Sequence, residues 1–173
     1  HIVCDNTLDA STLKALDNTK QLYLEMDMDD PSIPMKMMSG MVMKDGKTMT
    51  SMSSPEDLKV VDEYLVKNTG MGVKMMDKFK PSMAGMMVMP KMVDCPIKSV
   101  EEALMKVTKE QNEETYGLET LDEQMAVFDA ISYEEQMKEL IKSAKEGTEK
   151  GRAMFKKMLD DLKESGVVGA ADI

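Results

Sequence analysis

The sequence predicts a single α/β domain, helix-rich overall, in which a small, mostly parallel sheet is covered by many helices. Three observations predict it. Short apolar or β-branched runs occur at residues 1–4, 21–26 and 114–119. The long stretches between them carry helical rather than alternating periodicity, and capping signals open several of those stretches. A chain of 173 residues is the size of one domain and buries a core without staples, so residues 1–173 are read as one unit.

His1-Ile-Val-Cys4 reads as the end of a strand whose beginning is cut, since a β-branched pair at the very start has no upstream segment to continue it. Asp9 or Ser11 then caps a helix to about Asn18, with Leu13 and Leu16 facing inward. Gln21-Leu-Tyr-Leu-Glu-Met26 is the clearest strand, followed by Asp27, Asp29, Asp30 and Pro31. Glu25 lies inside that apolar run, where a carboxylate is harder to explain as loop polarity. Met35, Met38 and Met41 predict an amphipathic helix weakened by Gly40; Met71, Met75 and Met76 with Met83, Met86 and Met87 predict another, interrupted near Pro81.

Ser53-Ser-Pro-Glu56 opens a helix to about Asn68 that Gly70 ends, and Ser99-Val-Glu-Glu102 opens one to about Gln111. Glu114-Thr-Tyr-Gly-Leu-Glu119 is the second short strand, with an acid at its end. From Leu121 to Lys163 the pattern is helical, with breaks near Ile131-Ser132 and at Gly147.

Composition narrows the function. The net charge of −10 and the absence of an Arg/Lys stripe interleaved with aromatics argue against nucleic acid and anionic membrane. No apolar run approaches the roughly 20 residues of a membrane span. One histidine, His1, excludes HExxH sites and zinc fingers. Cys4 and Cys95 lie too far apart for a CxxC motif and are either two buried thiols or one long-loop disulfide.

Of 22 methionines, 17 fall between Met26 and Met92, where only Leu58 and Leu65 are leucine. Such a segment either fills an irregular core, forms an adaptable groove for apolar partners, or binds Cu(I) through thioethers. Core filling is the first expectation.

His1, Glu25 and Glu119 fall at or near strand ends, the usual position of sites in open α/β sheets. Imidazole and carboxylate together suit Mn, Co or Zn, and a carboxylate off the metal can act as general base.

Several of these segments together resemble the TraB/GumN family, relatives of the Tiki proteases, most closely its Met-rich bacterial members. They are His1-Ile-Val-Cys4, Gln21 to Pro31, the Met-rich segment with Met43-Lys-Asp-Gly-Lys47, and Tyr116-Gly-Leu-Glu-Thr120 followed by Glu123-Gln124. The resemblance spans roughly residues 1–145. It implies a metal-dependent hydrolase acting on peptides or proteins. His1 matches the histidine of the family's first Gly-x-x-His, Glu25 its strand acid, and Gly117 with Glu119 its later Gly-Leu-Glu-Thr signature.

The chain departs from the pattern at both ends. The first motif's glycine would precede His1, and Val168-Gly-Ala-Ala-Asp172 stands where a second Gly-x-x-His is expected, with Asp172 in the histidine's place as a metal ligand. The domain is therefore expected to be incomplete, with its first strand cut and its C-terminal part shortened. An inactive form is expected to act instead as a binding module, holding apolar peptides or a partner protein on its Met-rich helices. Bacterial relatives carry leader peptides, which implies an extracytoplasmic location. A missing first strand would leave a sheet edge suited to a homodimer.

Overall fold

The computed structural model describes residues 2, 3, 6–28, 30–93 and 95–164. Its first half runs β1 (Ile2–Val3), α1 (Ala10–Leu16), β2 (Gln21–Met26), α2 (Ile33–Gly40), α3 (Pro55–Thr69), α4 (Val73–Met76) and α5 (Pro81–Met86). Its second half runs β3 (Lys98–Ser99), α6 (Val100–Gln111), β4 (Glu114–Glu119), α7 (Leu121–Asp129) and α8 (Tyr133–Glu164). This is the expected helix-rich α/β fold with a small parallel sheet.

Most element ends have a local cause. The Asp9 carboxylate accepts from Thr12 N at 2.7 Å and opens α1. Ser54 caps α3 with Pro55 in its first turn, where a missing N–H costs nothing. Gly70, at φ 79°, closes that helix in the left-handed region where a side chain would be strained. Ser99 accepts from Glu102 N at 3.1 Å to start α6. Gly147, at φ 73° and ψ 179°, breaks α8 as its glycine suggested. The methionine-rich pattern is interrupted before Pro81, which begins α5 after α4 has ended at Met76.

β2 and β4 pair in parallel, in a register that sets Tyr23 beside Tyr116, Leu24 beside Gly117 and Met26 beside Glu119. The N-terminal strand does not join them. Ile2 and Val3 pair antiparallel with Ser99 and Lys98 instead, and Asn6 Nδ2 donates to Ser99 O at 2.8 Å, holding the chain start beside α6. Two separate ribbons result among the described residues.

The core lies away from both ribbons, between α3, α4, α5 and α8. Met43, Met49, Met76 and Met137 are buried there with Val61, Leu65, Val88 and Leu140, so methionine fills an irregular interior as expected. Burial also pushes the Tyr64 phenol above its ordinary value.

The spacing of α2 misleads: Met35 and Met38 are 78% and 72% exposed, and Ile33 is the buried residue. The cause is tertiary. α2 meets α7, and a Cβ on Gly40 would lie 3.1 Å from Met125 Sδ, so the glycine side of the helix faces its neighbour. Leu13 is likewise exposed rather than inward. Met35→Lys and Met38→Lys are therefore expected to change stability by less than about 0.5 kcal/mol in urea unfolding, as exposed substitutions do.

Two polar contacts fix the helices that flank the core. Lys80, 1% exposed, donates through its ammonium to Asp129 at the end of α7, and Lys44 reaches the same carboxylate at 3.5 Å. The Lys80 hydrogen bond holds the Asp129 carboxyl below its usual range. Gln136 is buried at the start of α8. Its Nε2 donates to Phe128 O (3.1 Å) and Ile131 O (2.9 Å), and its Oε1 accepts from the Ser82 hydroxyl at 2.7 Å. Every polar atom of that amide thus has a partner, which a buried glutamine needs.

No helix among the described residues is long and apolar enough to cross a membrane. Cys95 is disulfide-bonded, and Cys4 lies outside the described residues.

Candidate functional site

Parallel pairing brings the C-terminal ends of β2 and β4 to the same edge of the molecule, and with them Glu25 and Glu119. Both line one open depression of about 500 Å³, together with Glu123, Gln124, Val127 and Phe128 of α7. The two carboxylates are exposed, and neither makes a hydrogen bond or ion pair with a described residue. Pleat alternation assigns Glu25 to the face of Tyr23 and Tyr116, and Glu119 to the face of Leu24 and Met26. They share the rim of the depression without forming a side-by-side pair.

The residues around Glu119 hold it in place. A Cβ on Gly117 would sit 2.4 Å from Asp27 N and 3.0 Å from Met26 C, because the chain leaving β2 crosses directly over that position. Only glycine allows the crossing. Immediately after Glu119, the Thr120 hydroxyl accepts from Glu123 N at 3.2 Å while the Glu123 carboxylate accepts from Thr120 N at 2.8 Å. This reciprocal capping box starts α7. It also holds the Glu123 carboxyl below its usual range, chiefly through the Thr120 backbone N–H. Glu123 is thus committed to the helix start, and Glu119 remains the exposed acid of the motif.

On the opposite face Tyr23 and Tyr116 stack with ring centroids 5.2 Å apart and planes 22° from parallel. The Tyr116 hydroxyl donates to Glu114, which raises the phenol above its ordinary value. Parallel sheets are normally covered on both faces, yet Tyr23 is 55% and Leu118 72% exposed.

Of the four residues expected at a site, Glu25 and Glu119 come to one rim, whereas His1 and Asp172 lie outside the described residues. The described residues contain no group of three or more His, Cys, Asp or Glu side chains placed to hold a metal ion. Glu25 and Glu119 offer oxygen donors of the hard type that suits Mn, though two carboxylates alone fall short of a centre. The sequence named Gln124 only as part of the family signature and did not point to Val127 and Phe128. Their spacing along one turn of α7 was a signal, but which turn meets the strand ends depends on the capping box.

Fold and site together define a helix-rich α/β domain whose exposed acids stand at the carboxyl ends of parallel strands, the edge where open α/β sheets place their ligands. The chain belongs to the TraB/PrgY/gumN family, which it matches over residues 1–168. The resemblance read from His1-Ile-Val-Cys4, Gln21–Pro31 and Tyr116–Thr120 thus holds at the level of the family. No curated protein and no solved structure matches the chain.

Proposed function

We propose that the chain is a metal-dependent hydrolase of peptides, with its site at the strand-end depression. The observation that carries this reading is the pair of exposed carboxylates, Glu25 and Glu119, at the adjacent C-terminal ends of β2 and β4. Family membership supports it. Glu25 or Glu119 would hold Mn, Co or Zn together with His1 or Asp172, and a bound divalent ion would supply Lewis acidity and a water acidic enough to ionise near neutrality. Whichever carboxylate stays off the ion is placed to accept a proton, and Val127 and Phe128 give a peptide side chain an apolar wall. The disulfide at Cys95 supports an extracytoplasmic location, because such bonds persist in oxidising compartments.

Isothermal titration of the metal-stripped protein with Mn, Co and Zn tests the reading. Binding is expected to be lost in His1→Ala and in whichever of Glu25→Ala and Glu119→Ala removes the ligand. Equal heats in wild type and all three variants, or none in any, would remove the hydrolase assignment.

A second reading, a non-catalytic module holding apolar partners on its methionine helices, is favoured by the exposure of Met35 and Met38 on α2. It predicts apolar-peptide binding that is indifferent to metal and weakened by charge at Met37 or Met41. Cu(I) uptake by the methionine cluster would instead survive loss of His1.

A further inference from the structure

The β2–β4 ribbon has three properties that together specify a partner. Both of its edges are unpaired among the described residues, so the backbone N–H and C=O groups along an edge can take another strand. One face shows the stacked Tyr23 and Tyr116 with the exposed Leu118, an apolar strip that a parallel sheet ordinarily covers. Residues 21–30 and 113–123, which span both strands and the sequence that follows each, hold nine acids and no lysine or arginine, and Lys20 just before β2 is the one cation beside them. A second copy of the chain would bring like charges together on this surface, whereas a cationic strand would meet opposite charge along its length.

We propose that the ribbon binds a basic peptide in extended conformation, added along a free edge. Alternate apolar side chains lie on the Tyr23, Tyr116 and Leu118 strip, at whose end Glu25 adds to the attraction for a cationic chain, and the intervening lysine or arginine side chains lie on the opposite face towards Glu119. As the substrate class of the hydrolase it rests on the reading above; as a binding event it does not, and the two are separable by experiment.

The test uses the full chain in EDTA and a fluorescein-labelled peptide of alternating lysine and valine, read by fluorescence anisotropy. Controls are the glutamate–valine peptide and a lysine–valine peptide N-methylated at alternate residues. The lysine–valine peptide is expected to bind, more weakly as salt rises, and the two control peptides are expected to fail. Glu25→Gln with Glu119→Gln should weaken binding about tenfold, the scale of two exposed charge contacts. Both sites are exposed, so circular dichroism should be unchanged.

Absence of binding, equal affinity for the glutamate peptide, or indifference to N-methylation or to the double substitution would overturn the proposal. So would a dimer in sedimentation velocity that excess peptide does not dissociate, since a second copy would then occupy the ribbon. Repeating the assay with Mn separates the two readings. Binding without cleavage leaves this inference standing and removes the hydrolase, whereas cleavage with no preference for basic peptides does the reverse.

Discussion

Asp129→Asn is expected to destabilise the protein by about 3 kcal/mol in urea unfolding, at the lower end of the range for breaking a buried ion pair. The lower end applies because the two partners differ: the Lys80 side chain is 1% exposed and that of Asp129 33%. Water therefore reaches the carboxylate but not the ammonium. With Asp129 neutral, the buried Lys80 loses its ionic partner. A double variant, Lys80→Met with Asp129→Asn, is expected to regain most of that loss, since the long apolar stem already fills its space. If the double variant were no more stable than Asp129→Asn, the cost would lie in α7 itself and not in the stranded ammonium.

The same pair sets an acid limit. Lys80 holds the Asp129 carboxyl below its ordinary 3.8 in the folded chain. The folded state then binds the proton less readily than the unfolded state, so the stabilisation is complete above the unfolded value and is lost as pH falls through the folded one. Wild type should lose stability on acidification below about pH 4, and Asp129→Asn should show a shallower decline there. Parallel urea titrations across that range read the difference.

Gly117→Ala is expected to cost about 2–3 kcal/mol, the upper part of the range for overpacking, because the added methyl meets backbone and not a movable side chain. The obstructing atoms are Asp27 N at 2.4 Å and Met26 C at 3.0 Å. Relief requires the chain after β2 to lift from β4, which parts Met26 from Glu119. The variant should therefore disturb the strand-end depression as well as stability. Gly46→Ala provides the contrast: its φ of 70° makes alanine strained, yet nothing lies within 4 Å of the added atom. Hydrogen exchange should show early opening of β2 and β4 in Gly117→Ala alone. Unchanged protection of Leu24 to Met26 would refute the crossing as the reason for the glycine.

Local signals were legible where a short segment satisfies its own needs. Ser54, Gly70 and Ser99 end or begin helices through bonds and dihedrals within a few residues, and each sits where the sequence pattern put it. The strand limits Gln21–Met26 and Glu114–Glu119 agree with the sequence reading because apolar runs bounded by turn residues leave little choice of boundary. Met35 and Met38 show the opposite case. A three-residue spacing marks one side of a helix, but Gly40 and Met125 decide whether that side turns inward.

The site divides in the same way. Glu25 and Glu119 were visible as acids at the ends of two apolar runs, and the motif Tyr116–Thr120 pointed to the family. That they share a rim while facing opposite sides of the ribbon follows from pairing Tyr23 with Tyr116 across more than ninety intervening residues. A register shifted by one would put both acids on one face.

The sequence by itself determined the family, the limits of β2, β4 and the capped helices, and the identity of the strand-end acids, since these depend on composition and on contacts within a turn or two. Tertiary structure alone decided the separate pairing of β1 with β3, the burial of Lys80 against Asp129 and the need for glycine at 117. It also decided which methionines fill the core. Each of these depends on which distant segment arrives as neighbour, and local periodicity carries no record of that.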